Sequence, residues 1–237
     1  MRPRNLILVA AAGAALAVPL SRITLAQGQS EPRRPDADHG AAIAARGTAA
    51  GAVACAQCHA FNGISDASGA FPRIAGQSRE YLAKQLRDFA SGERSNAIMT
   101  PIAKALAAAD LDDVAAYYAG VNGPFMPLKE PDPALVKVGE TLATVGSARR
   151  QVAACNNCHG PGGAGEPPAI PYLAAQYSNY IAFALREWQL GYRKNSQEQM
   201  AVVARQLNQE EIAAVAAYYQ QARAIRRDIE VAAKEQK

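Results

Sequence analysis

The sequence predicts an all-α protein made of two tandem copies of one small helical domain. Three observations carry this. The second half of the chain repeats the first at an offset of about 100 residues. Apolar residues recur at helical spacing between capping residues in both halves. Finally, no segment alternates apolar and polar residues as a half-buried strand does.

The repeat is read from paired segments. Cys55-Ala56-Gln57-Cys58-His59 pairs with Cys155-Asn156-Asn157-Cys158-His159 at an offset of 100, and residues 71–77 (FPRIAGQ) pair with 170–176 (IPYLAAQ) at 99. Tyr81-Leu82 pairs with Tyr180-Ile181, and Gly92-Glu93-Arg94 with Gly191-Tyr192-Arg193, also at 99. Met99 pairs with Met200, and Tyr117-Tyr118 with Tyr218-Tyr219, at 101. A one-residue deletion followed by a two-residue insertion accounts for the drift. The expected layout is a first domain over 39–119, a linker over 120–133 and a second domain over 134–237. Each domain is of independent folding size. Two glycines and four prolines without helical period mark the linker, and its prolines should stiffen it.

Opening helices are expected over Ala41–Ala50 and Leu135–Val145. Tyr81, Leu82, Leu86 and Phe89 form a stripe, with Gln85 as its exception, between Ser78 as cap and Gly92 as stop. Tyr180, Ile181, Ala184, Leu185 and Trp188 repeat the stripe between Ser178 and Gly191. Thr100-Pro101 reads as a cap followed by proline at the first helical position. Asp110-x-x-Asp113 and Asn208-x-x-Glu211 resemble capping boxes, the second more closely, opening helices that carry the tyrosine pairs.

The first 26 residues read as a signal peptide. Arg2 and Arg4 precede an apolar run from Leu6 to Leu20, and the segment ends Thr24-Leu25-Ala26. At about 15 residues the run is short for a spanning helix, which needs roughly 20. No arginine pair precedes it, which favours the general export route. Residues 27–38 are polar, carry Pro32 and Pro35, and are expected to be disordered. The whole chain has 25 basic and 21 acidic residues; removing Arg2, Arg4 and Arg22 leaves a surplus of one. No block of like charge remains to bind nucleic acid.

All four cysteines fall in the two Cys-x-x-Cys-His motifs, the signature of covalent haem c attachment. Two thiols three positions apart can each form a thioether with one vinyl group of a haem, and the next residue, histidine, reaches the iron from the same side. Structural disulfides leave the two histidines unexplained. A thioredoxin-type redox motif expects a βαβ context, and a shared zinc site leaves the duplication unexplained. Two covalently bound haems are therefore expected, held by Cys55, Cys58 and His59, and by Cys155, Cys158 and His159.

Met99 follows His59 by 40 residues and Met200 follows His159 by 41. A thioether is a soft, neutral ligand that favours reduced iron, so these two are the candidates for the opposite faces of the irons. Met126 in the linker has no counterpart. His39, outside the motifs, is expected to be a solvated residue near the first helix.

These segments together resemble the dihaem cytochrome c4 family over about nine-tenths of the mature chain. The resemblance rests on residues 55–59, 71–77, 81–89, 91–94 and 115–120 with Met99, and on 155–163, 170–176, 190–195 and 216–221 with Met200. It implies two cytochrome c-like helical domains, each around one haem, facing one another, and periplasmic electron transfer. It also implies that the Pro72 carbonyl accepts the free ring N–H of His59 and the Pro171 carbonyl that of His159, with Pro167 and Pro168 competing. Ala60 stands where family members carry glycine, as does Ala175. The tyrosine pairs read as helix packing.

The function expected is that of a periplasmic carrier of single electrons between dehydrogenases and terminal oxidases. Histidine and methionine on each iron leave no open position for a substrate, so neither an enzyme activity nor a small-molecule substrate is expected. The alternative is the cytochrome subunit of a periplasmic dehydrogenase or terminal-oxidase complex, touching a membrane only through its partners; Arg223, Arg226 and Arg227 offer such a subunit a docking face but read first as a solvated helix end. A haem enzyme, a peroxidase or a thiosulfate dehydrogenase, is the remaining reading.

Overall fold

A computed structural model describes residues 33–126 and 128–223. The expected signal peptide, residues 27–32, Arg226 and Arg227 lie outside the described residues. The first half contains α1 (Ala37–Arg46), α2 (Ala56–His59), α3 (Arg79–Ser91), α4 (Met99–Lys104) and α5 (Ala108–Gly120). The second repeats the order as α6 (Pro133–Thr144), α7 (Asn156–His159), α8 (Ser178–Leu190), α9 (Gln199–Gln206) and α10 (Gln209–Gln221). No strand pairs into a sheet among the described residues; isolated bridges such as Arg94 with Arg193 are the sole β contacts there.

In each half the first and last helices cross, α1 on α5 and α6 on α10. Glycine makes the crossings possible. A Cβ on Gly40 would lie 2.0 Å from the carbonyl oxygen of Asp113, and one on Gly139 would lie 2.0 Å from that of Ala214. Behind each crossing lies an apolar core. Ile43, Leu111, Val114 and Tyr118 are buried in the first half, and Ile181, Leu185, Trp188, Ile212 and Tyr219 in the second. Burying one such aliphatic or aromatic side chain is worth about 1.5–3 kcal/mol. Tyr118 and Tyr219 are each 1% exposed, so one tyrosine of each pair packs in the core as expected.

Several helix starts differ from the sequence reading. α1 begins at Ala37, inside the stretch expected to be disordered and four residues ahead of Ala41. The Asp36 carboxylate caps it by accepting from the amides of Asp38 and His39, both at 3.0 Å. α4 is opened by Asn96, whose Oδ1 accepts from the amides of Ile98 and Met99 at 2.9 Å, while Thr100 Oγ1 accepts back from the Asn96 amide. Thr100 thus lies inside the helix. Asp110 sits in the first turn of α5 and accepts from the Ala107 amide, so it closes the helix start rather than opening it. Ser178 caps nothing; its amide donates to Gln220 Oε1. Ser78 and the Asn208–Glu211 box act as expected. Gly120 belongs to α5 and Pro133 to α6, which shortens the irregular connection between them.

His39 is not simply solvated. It lies in α1 with its side chain about half exposed, and its Nδ1 is 2.8 Å from Oδ2 of the fully buried Asp113. Asp113 Oδ1 also accepts from the Asp36 amide at 2.7 Å, so this carboxylate ties the start of α1 to α5.

Candidate haem centres and the contact between them

Each Cys-x-x-Cys-His motif forms one helical turn, and the turn places its side chains. Cys55 immediately precedes α2 and Cys58 lies within it; Cys155 and Cys158 stand the same way about α7. Three residues in a helix bring two side chains to one face. The His59 and His159 amides close the turns on the Cys55 and Cys155 carbonyls, both at 2.9 Å. The histidines are each 8% exposed.

Burial and a carbonyl fix the state of both rings. His59 Nδ1 lies 3.2 Å from the Pro72 carbonyl oxygen, and His159 Nδ1 lies 3.0 Å from that of Pro171. A carbonyl can only accept, so Nδ1 carries the proton. Burial lowers both ring pKa values against the opposing pull of the carbonyls and keeps the rings neutral. Nε2 is left with a free lone pair and no partner among the described residues, as a metal ligand requires. Pro171, not Pro167 or Pro168, holds His159. Burial also pushes the Cys55 and Cys155 thiols above their ordinary range.

The departures from glycine keep the loop geometry. Ala60 takes φ 57° where Gly160 takes 73°, and Ala175 takes φ 58° where Gly76 takes 67°. The loop after His59 and the turn that carries His159 are then tied to the tyrosines. The Tyr118 hydroxyl donates to the Ala60 carbonyl at 3.2 Å and the Tyr117 hydroxyl to that of Phe61 at 2.7 Å. The Tyr219 hydroxyl donates to Asn156 Oδ1 at 2.8 Å. Burial raises the pKa of both Tyr118 and Tyr219 above the usual phenol range, so they remain donors.

Met99 is the first residue of α4 and Met200 the second of α9, both half-buried, in equivalent places. Met200 packs against the second core together with Cys155 and Leu173. Met126 lies exposed in the connection, away from any equivalent.

The halves meet through residues the sequence reading paired but did not assign. Gln77 Nε2 donates to the Tyr172 carbonyl at 2.9 Å, and the Tyr172 amide donates back to Gln77 Oε1 at 3.0 Å. The mirror pair is Gln176 with Arg73, at 2.8 and 2.9 Å. Arg73 and Tyr172 directly follow Pro72 and Pro171, so this contact braces both histidine-holding segments. Deeper in, Arg94 Nη2 donates to the Tyr180 hydroxyl and Arg193 Nη2 to that of Tyr81, both at 3.0 Å. Arg94 lies over the Phe89 ring at 4.5 Å and Arg193 over the Trp188 ring at 4.6 Å. All these partners are related by the offset of 99. Burial works against the Arg94 charge, but the Tyr180 and Tyr81 phenols and Glu187, 3.6 Å away, outweigh it and hold its pKa above the ordinary value.

Two soft thioethers, two neutral buried imidazoles and four paired thiols make a donor set suited to two haems. The cytochrome c family profile matches residues 44–121 and again 146–223. A cytochrome c4 of Pseudomonas aeruginosa is 38% identical over 77% of this chain and 90% of its own. The chain belongs to the cytochrome c4 family. A thiosulfate dehydrogenase electron acceptor of Stutzerimonas stutzeri is 40% identical over 71% of this chain and 78% of its own.

Two solved structures share the cytochrome c4 fold. Reduced cytochrome c4 from Pseudomonas stutzeri superposes with TM-score 0.70 at 32% identity, covering 80% of this chain and 100% of that one. The thiosulfate dehydrogenase TsdBA of Marichromatium purpuratum gives TM-score 0.72 at 34% identity; this chain covers 40% of it, and 78% of this chain is matched. As a cytochrome c4, the chain carries two covalently bound haem c groups and is an electron-transfer protein rather than an enzyme. Among the described residues no helix is long and apolar enough to cross a membrane.

Proposed function

We propose that His59 and Met99 ligate one haem iron and His159 and Met200 the other, with thioethers at Cys55 and Cys58 and at Cys155 and Cys158. The observation that carries this reading is the buried, neutral imidazole in each half, anchored through Nδ1 with Nε2 unpartnered. Bound haem supplies a one-electron Fe(III)/Fe(II) couple. The protein's part is to hold the ring planes through Pro72 and Pro171, to supply a thioether that favours the reduced iron, and to change little in geometry between the two states.

The chain works in the periplasm after loss of its N-terminal signal, and its donor is a periplasmic dehydrogenase of the thiosulfate-oxidising class. The name of the Stutzerimonas stutzeri relative and the fold shared with part of TsdBA support that donor. They favour a dehydrogenase-associated cytochrome over one serving a terminal oxidase alone, although an oxidase fits as the final acceptor. In the test, the oxidised protein is mixed with a catalytic amount of a purified thiosulfate dehydrogenase and thiosulfate. Reduction of both haems, two electrons per enzyme turnover and at a rate proportional to the enzyme concentration, is expected. Reduction no faster than with thiosulfate alone would remove this donor class.

A further inference from the structure

The two methionine loops hold equivalent places in the repeat but are anchored differently. Asn96 and Asn195 occupy the same repeat position, at the offset of 99. In the first half Asn96 turns inward and caps the helix that Met99 begins. In the second half two extra residues separate Asn195 from Met200, and the asparagine turns outward. Its Nδ2 donates across the contact to Asp88 Oδ2 at 2.5 Å and to Gln85 Oε1 at 3.1 Å, while Lys84 Nζ donates to its carbonyl oxygen at 3.2 Å. Gln85, the polar exception in the α3 stripe, accepts as well from Arg94 at 2.9 Å and Arg193 at 3.0 Å. Its counterpart is Ala184, whose methyl side chain has no acceptor.

The inserted residues make the second loop the more demanding one. Gln197 and Glu198 take φ 47° and 72°, a left-handed pair immediately before α9, and no residue from Ser95 to Ile98 does so. The anchorage runs directly into the ligand. Ser196 follows the clamped Asn195, its Oγ accepts from the Met200 amide at 3.2 Å, and its carbonyl accepts from Gln199.

We infer that the first domain positions the second haem's methionine: Gln85 and Asp88, through Asn195, hold the Met200 loop on its iron, whereas the Met99 loop is held by its own domain. The inference rests on Met99 and Met200 being ligands. It makes Gln85 and Asp88 positioning residues for the other domain's haem, acting through Asn195. It also makes the Met200–iron bond sensitive to any partner that shifts the contact between the halves.

Competition by imidazole in the ferric dihaem protein tests this. The half-saturating imidazole concentration is followed through loss of the methionine-to-iron charge-transfer band. Gln85→Ala is expected to lower it at least fivefold for one haem and to leave the other unchanged. Met200→Ala, in which that haem is already open, identifies it as the second. Gln85→Glu, which keeps the acceptor oxygen, should restore wild-type values. Asn195→Ala approaches the same contact from the other side and decides the matter if Gln85→Ala does not assemble. The mirror variant, Asn96→Ala, should open only the first haem. An equal change at both haems, no change at either, or a change confined to the first haem in Gln85→Ala or Asn195→Ala would overturn the inference. A wild-type protein with charge-transfer intensity from only one haem would instead overturn the ligand assignment beneath it.

Discussion

Met200→Ala is expected to lower one of the two reduction potentials by on the order of 100 mV or more and leave the other nearly in place; Met99→Ala should do the reverse. Axial ligation spreads haem potentials over roughly 0.8 V, and replacing a thioether by water or hydroxide removes the ligand that favours Fe(II). The separation between the effects is as informative as their size. Each methionine belongs to one half, so a two-step redox titration should show a single step displaced in each variant. Displacement of both steps by one substitution would mean that the irons do not have separate methionines.

Arg94→Ala is expected to destabilise the holoprotein by about 3–5 kcal/mol, the usual cost of removing one partner from a buried ion pair. Arg94 and Glu187 have side chains only 7% and 8% exposed and lie 3.6 Å apart. Without the guanidinium, Glu187 is left as a buried carboxylate without its ion-pair partner, and Gln85 and the Tyr180 hydroxyl each lose a donor. Arg193→Ala should cost less, about 1–3 kcal/mol, because hydrogen bonds to Tyr81, Gln85 and Asn195 are lost but no buried carboxylate is orphaned. Guanidinium denaturation followed by haem absorbance and by the fluorescence of Trp188, the one tryptophan of the chain, measures both. The Arg94 variant should also unfold in two steps, because the halves keep separate cores. Equal costs for the two arginines would contradict the assigned roles.

The duplication explains why so much of this molecule is legible in its sequence. Haem motifs, methionines and tyrosine pairs each occur twice at offsets of 100 or 101, and each copy marks the other as part of the repeated unit. The same signal was present at Tyr81 and Tyr180 and at Arg94 and Arg193, but apolar periodicity has no means of reading a polar interface. Gln85 breaks the helical stripe because it accepts at the contact between the halves, from Arg94 of its own domain and from Arg193 and Asn195 of the other. Gly40 and Gly139 were a further repeated signal; glycine in mid-helix marks the close crossing of backbones. The helix starts at Ala37 and Met99 were misplaced because a cap is recognised by where its side chain points. Asp36 and Asn96 differ little in sequence from the neighbouring polar residues, and only the backbone shows which of them turns back onto free amides. The divergence of Asn96 and Asn195 was beyond reading, since both are asparagines and the two-residue insertion acts by re-aiming one of them.

Two haems, each closed by histidine and methionine, are the core of the account, and one spectroelectrochemical titration addresses them together. The purified, fully oxidised protein is reduced stepwise while its methionine-to-iron charge-transfer band is recorded. The band should disappear in two one-electron steps, each removing about half of its intensity, from a ferric spectrum that is low-spin throughout. A single step that removes the whole band while a second haem titrates without it, or a high-spin ferric component, would contradict it.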